Sequence, residues 1–157
     1  MEPADLARVL ELEPVLFGRE AWTRGMYREE LASPTRAYRA IDDGGRLVAW
    51  GGVLLGETAQ ILTLGVDPDH QRRGLGSRLL RDLLAIAADH GAREVLLEVR
   101  ASDDGAQRLY LRHGFLPIGR RRNYYQLIGE DAVVMRRVIA GPPPQDEQAG
   151  PKDLVGP

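Results

Sequence analysis

The sequence contains no cysteine. Thiol nucleophiles, disulfides and thiolate metal sites are therefore all excluded. Histidine is scarce, and His70, His90 and His113 show no paired ligand spacing, so no metal site is expected. No stretch approaches the roughly 20 continuous apolar residues that span a bilayer. The acidic start MEPADLARVLELE does not read as a signal peptide, and a soluble cytoplasmic protein without membrane contact is expected. Nearly all the positive charge is arginine and acids slightly outnumber it, giving a net charge of -2, so no long basic surface for nucleic acid is advertised. Anion recognition has to be local.

At 157 residues the chain fits one domain with a substantial core. The segment PADLARVLELEPVLF puts Leu6, Val9, Leu10 and Leu12 near one helical face up to about Pro14, and REELASP predicts a second helix closing at Pro34. RLVAWGGVLLG and TAQILTLGV read as neighbouring strands, the second stopped by Asp67-Pro68. From Gly74, Leu75, Leu79, Leu80, Leu83, Leu84 and Ala87 follow helical spacing until Gly91. REVLLEVR is a predicted strand. SDDGAQRLYLRHG is a predicted helix capped by Ser102 or Asp103 and closed by Gly114. FLPIG follows, then NYYQLIG and DAVVMRRVI as a hairpin around Gly129-Glu130. After Ile139 the composition changes to GPPPQDEQAGPKDLVGP. The expected organisation is a mixed α/β sheet domain over residues 1–140, followed by a disordered tail over 141–157.

The stretch VDPDHQRRGLGSRLL is the strongest local signal. A strand, a proline turn and a glycine pair lead into a helix whose first backbone N–H groups lack intrahelical partners. Gly74 and Gly76 admit a ligand close to the main chain, the helix dipole favours negative charge, and Arg72 and Arg73 add full charges. The pattern is an anion site for phosphates. No Gly-Lys-Ser/Thr follows, and Leu79 replaces the third glycine of G-x-G-x-x-G, so neither a nucleotide P-loop nor a dinucleotide fingerprint fits. A tight turn with exposed arginines is the plain alternative.

VDPDHQRRGLGSRLL, LLEVRASDDGAQRLYLRHGF and GRRRNYYQLIGEDAVVM together resemble the GNAT acetyltransferases, and within them the bacterial ribosomal-protein-alanine N-acetyltransferases. The likeness is close from Thr63 to Met135 and weaker before it. It implies a GNAT-like mixed, mostly antiparallel sheet flanked by helices. It also implies that the anion is the pyrophosphate of the cosubstrate acetyl-CoA, held by the backbone of Arg72, Arg73, Gly74, Leu75, Gly76 and Ser77. The acetyl carbonyl would lie near Leu64, Gly65 and Val66. Asp103 stands where the family usually carries an asparagine contacting the cofactor. The family's Pro-Trp element, which helps shape the acceptor cleft, appears here as EAWT, with Ala21 before Trp22. Arg122, Asn123, Tyr124 and Tyr125 correspond to the acceptor-binding edge.

Acetyl transfer to an amine needs a base for the nucleophile, a donor for the oxyanion and a proton for the departing thiolate. Glu98 sits in an apolar strand between Leu97 and Val99, where partial burial would raise its proton affinity above the reference of about 4.3. It is the candidate base. Tyr110 shares one helical face with Ala106 and His113 and is the candidate acid; a strand amide near Val66 would serve the oxyanion. The resemblance assigns Glu98 and Tyr110 the same roles. The plain alternatives are an ion pair of Glu98 with Arg100 and a core aromatic at Tyr110; His70 and His113 are taken as structural. An α-amine, with a reference pKa of about 7.7 to 8.0 against about 10.4 for lysine, is neutral roughly a hundredfold more often near neutrality. A carboxylate base suits a protein N-terminus, and the resemblance narrows this to the N-terminal alanine of a small-subunit ribosomal protein. A small-molecule amine or lysine acceptor, or a non-catalytic CoA-binding module, are the alternatives.

Overall fold

The computed structural model describes residues 1–139; the expected tail lies outside the described residues. Helix α1 (Leu6–Phe17) buries Leu6, Val9, Leu12 and Glu13, carries Pro14 inside it and ends at Gly18. Helix α2 (Arg24–Ala32) starts earlier than the sequence suggests, because the Thr23 hydroxyl caps it by accepting from the Met26 N–H. Strands β1 (Arg36–Asp43), β2 (Arg46–Leu54) and β3 (Thr58–Val66) follow. Helix α3 (Leu75–Asp89), β4 (Glu94–Arg100) and α4 (Asp104–Arg112) lie close to expectation, and the Asp103 carboxylate caps α4 by accepting from Ala106 N–H at 3.0 Å. Strands β5 (Leu116–Tyr125) and β6 (Glu130–Val138) close the described chain.

Two differences from the sequence reading stand out. Strand β1 is absent from that reading, yet it pairs antiparallel with β2 through a Gly44-Gly45 turn, both glycines having positive φ. Strand β5 fuses FLPIG with the run that follows, and Gln126 to Gly129 form the turn, so the hairpin reverses before Gly129-Glu130. Irregular pairing at Pro117/Gly119 and Arg121/Tyr125 lets one strand absorb both runs.

The six strands are ordered β1-β2-β3-β4-β6-β5, and every adjacent pair is antiparallel except β3 with β4. This is the mixed, mostly antiparallel sheet expected. Ala37 and Tyr38, successive residues of β1, enter different hydrophobic clusters, so the sheet is covered on both faces. Leu80, Leu83, Val95, Leu97, Phe115 and Met135 belong to one cluster; Val9, Leu12, Tyr27, Tyr38 and Trp50 belong to the other.

The parallel pair is short. Thr58, Ala59 and Gln60 pair with Glu94, Val95 and Leu96, and the ladder then stops. At the same level, Val53 faces Ile61 and Gly52 faces Thr63, which leaves Leu62 as an extra residue in β3. Such a bulge bends its strand. Beyond it β3 stays with β2 and β4 stays with β6, so the sheet splits along its middle.

Candidate active site

The split opens into a cleft of about 200 Å3. Ile61 to Leu64 of β3 and Leu97 to Arg100 of β4 line its two sides, Asp103, Ala106 and Tyr110 contribute from α4, and Glu13, Phe17 and Trp22 close it from the N-terminal region. Because the ladder ends at Gln60 and Leu96, main-chain groups of β3 on this side are free for a guest.

Glu98 lies in this cleft with a side chain only 13% exposed. Its Oε2 accepts from Arg121 Nη1 at 2.8 Å and its Oε1 from Gln60 Nε2 at 3.0 Å. The Tyr124 hydroxyl stands 3.5 Å from Oε1, beneath the Arg121 guanidinium, which covers the Tyr124 ring at 5.0 Å. The plain alternative of an ion pair with Arg100 is not what forms. Arg100 instead donates to the Phe17 carbonyl at 2.8 Å, and its guanidinium lies over the Tyr125 ring. A clasp thus joins β4 to the end of α1 across one end of the cleft.

Tyr110 also lines the cleft and is largely buried, and no described side chain hydrogen-bonds its hydroxyl. Burial pushes its pKa well above the ordinary tyrosine value, and the nearby Asp103 and Tyr125 add to the effect. The phenol is therefore protonated throughout the neutral range. A carboxylate and a protonated phenol face one cleft, the two groups that amine acylation needs.

The Acetyltransferase (GNAT) family model matches residues 6–115. The N-alpha-acetyltransferase RimI of Mycobacterium tuberculosis is 43% identical over 145 residues, spanning 88% of this chain and 90% of that protein. The [ribosomal protein bS18]-alanine N-acetyltransferase of Escherichia coli is 41% identical over 86 residues, 54% of this chain and 58% of the relative. The crystal structure of the ribosomal-protein-S18-alanine N-acetyltransferase from Escherichia coli superposes with a TM-score of 0.80 at 30% identity, covering 92% of this chain and 95% of that one. The chain belongs to the GNAT acetyltransferase family. It is an acetyl-CoA-dependent N-acetyltransferase.

The GNAT turn between β3 and α3 fits an anionic cosubstrate. Gly74 occupies the N-cap of α3 at φ 79, a left-handed conformation that favours glycine, and it has no side chain with which to cap. The first bond of the helix runs from Arg78 N–H to Gly74 O at 3.0 Å. The N–H groups of Leu75, Gly76 and Ser77 precede that bond and belong to the orphan set of the helix end. Arg72, at φ 65, and Arg73 are exposed beside them. Below the turn, Asp67 is 5% exposed; it accepts from Asp69 N–H at 3.0 Å and from Arg8 Nη2 at 2.6 Å. These donors hold its carboxyl below the usual range, and the turn is anchored by a charge pair.

Of the site residues read from the sequence, Leu64, Glu98, Asp103, Tyr110, Trp22 and Tyr125 line the one cleft. Tyr124 joins them through Glu98. Gly65 serves packing as well: a Cβ there would lie 2.6 Å from the Trp50 ring, so the bare backbone lets the indole lie against β3. Val66 and the segment 72–77 continue from β3 and stand outside the cleft lining. Arg122 and Asn123 are exposed on β5 and do not line it, the Asn123 N–H being bound to Asp131 Oδ1 at 2.8 Å. His70 is held in the turn by Asp43 at 3.2 Å, the His113 carbonyl accepts from Arg137, and neither histidine lines the cleft.

Sequence reasoning missed Glu13, Gln60 and Arg121, and named Arg100 only as an ion-pair partner of Glu98. Glu13 had a signal, since it stands four residues after Val9 on the buried face of α1. Arg121 had none: its link to Glu98 crosses two ladders, from β5 over β6 to β4.

Proposed function

We propose that this enzyme acetylates the α-amine of protein N-termini, and that its acceptor is the N-terminal alanine of a small-subunit ribosomal protein. The observation that carries the reading is one cleft between β3 and β4 lined by Glu98, Tyr110 and Tyr125, with the Tyr124 hydroxyl at the Glu98 carboxylate. The names borne by the related proteins support the acceptor class.

Acetyl-CoA supplies an activated acyl group when bound. The orphan N–H groups of Leu75 to Ser77, with Arg72 and Arg73, hold its pyrophosphate, and main-chain groups from Leu64 to Val66 lie beside its acyl end. Asp103 spends one carboxylate oxygen on the α4 cap, so any cofactor contact it makes is through the other. The neutral α-amine would attack the acetyl carbon, and Glu98 would accept the proton that the nitrogen sheds as the C–N bond forms. A strand N–H near Val66 donates to the developing oxyanion. As the new C–N bond forms and the C–S bond breaks, Tyr110 gives its proton to the thiolate. Arg121 and Gln60 keep the Glu98 carboxylate aimed. The enzyme works in the cytoplasm, where acetyl-CoA and newly made proteins meet.

Mass spectrometry of a peptide set with varied free N-termini and internal lysines, incubated with acetyl-CoA, tests the acceptor. Acetylation at N-terminal alanine is expected. Labelling confined to lysines, or to small amines supplied in competition, would overturn it.

A further inference from the structure

The chemistry above uses one of three glutamates that line the cleft. Of the other two, Glu13 is 1% exposed, and its oxygens are taken by neutral donors: Oε1 accepts from the Trp22 N–H at 2.7 Å and Oε2 from the Tyr27 hydroxyl. Burial pushes its pKa up, against the lowering effect of those two donors. A carboxylate buried without a side-chain cation is costly, and its two hydrogen bonds offset part of that cost; an apolar residue there would leave the Trp22 N–H and the Tyr27 hydroxyl without this acceptor.

What Glu13 holds is the acceptor side of the cleft. Trp22 is tied to it by the backbone and packs its ring 5.2 Å from that of Tyr27. The Tyr27 hydroxyl, donating to Glu13, accepts from Trp50 Nε1 at 2.9 Å. The Trp50 indole in turn lies against Gly65 of β3. One carboxylate therefore connects the segment that carries Trp22, after α1, to β3 through Tyr27 and Trp50.

We propose that Glu13 is a positioning residue that sets the acceptor wall, holding Trp22 where it guides the amine toward Glu98. This rests on the reading of the cleft as the acceptor site. Glutamine cannot substitute fully. Its amide offers one accepting oxygen where the carboxylate offers two, so either Trp22 or Tyr27 loses its acceptor with almost no change of volume.

The test is steady-state kinetics of Glu13→Gln and Glu13→Ala, with acrylamide quenching of tryptophan fluorescence. Trp22 and Trp50 are the chain's two tryptophans, and both hang on this network. The acceptor KM should rise roughly fivefold to tenfold in Glu13→Gln, the value of about one hydrogen bond, while the acetyl-CoA KM stays within about twofold. Quenching should increase. Equal changes in both KM values, or an unchanged acceptor KM with unchanged quenching, would overturn the proposal. Should Glu13→Ala fail to fold, the near-isosteric Glu13→Gln carries the test. Should the wild-type enzyme prefer a lysine or small amine, the acceptor assignment fails by itself, and the same KM comparison is made on that amine.

Discussion

Among the described residues no side chain hydrogen-bonds the Tyr110 hydroxyl, and its burial favours the neutral phenol. A general acid must still carry its proton when the thiolate leaves. Because the pKa is raised, the proton is kept as pH climbs through 10.0, the ordinary tyrosine value. The profile of kcat against pH should accordingly show no descending limb from pH 8 to 10; a decline there that Tyr110→Phe abolishes would contradict the assignment. Tyr110→Phe itself should lower kcat by about a hundredfold, the low end for a lost acid or base, with acetyl-CoA affinity preserved. Rates within about threefold of wild type would make Tyr110 a packing residue.

At the scale of elements, the turn before α3, proposed above to hold the cosubstrate's pyrophosphate, is a glycine N-cap resting on an anchored carboxylate. Gly74→Ala puts a Cβ on a left-handed residue, at a cost of about 1 to 2 kcal/mol. The strain falls where α3 begins. We expect the KM for acetyl-CoA to rise several-fold with the acceptor KM unchanged; the reverse pattern would separate this turn from the cofactor. Asp67 makes a stability prediction. Its folded pKa lies below the ordinary 3.8, so its contribution is complete above that value and is lost as pH falls through the lower folded one. Asp67→Asn should cost about 1.5 to 3 kcal/mol at neutral pH, measured by urea denaturation, with the difference from wild type shrinking in acid below that window. A difference that does not change with pH would exclude the charge pair.

The same elements show what a linear reading can and cannot find. Helix α3 was legible because its apolar residues recur at helical spacing, and α4 because an acidic cap and a closing glycine bracket it. Strand β1 was not. It is an edge strand whose Arg36, Arg39, Asp42 and Asp43 dilute the alternation, although Gly44-Gly45 marked the turn after it. Glu98 and Tyr110 were legible through the motif that holds them. The partners of Glu98 were not, because Gln60 comes from a strand 38 residues earlier and Arg121 from one 23 residues later. Only the strand order sets those distances.

For the whole molecule, the described fold ends where Ile139 N–H reaches the Arg93 carbonyl at 2.9 Å. We propose residues 1–140 as the folding unit. Removing 141–157 should leave the melting temperature and kcat/KM unchanged, and a drop of several degrees would enlarge the domain. Function at this scale follows from the split sheet. The bulge at Leu62 parts β3 from β4, Glu98 and Tyr110 stand on the walls of the gap, and it is there that the proposed function brings cosubstrate and acceptor together.

The direct measurement is acetyl transfer by Glu98→Gln to a peptide with N-terminal alanine, paired with calorimetric titration of acetyl-CoA into the same protein. An acetyl-CoA Kd equal to wild type with kcat lower by about a hundredfold is the predicted result. An unchanged kcat, or a loss that comes entirely from weaker acetyl-CoA binding, would remove Glu98 from the proton transfer and with it the mechanism.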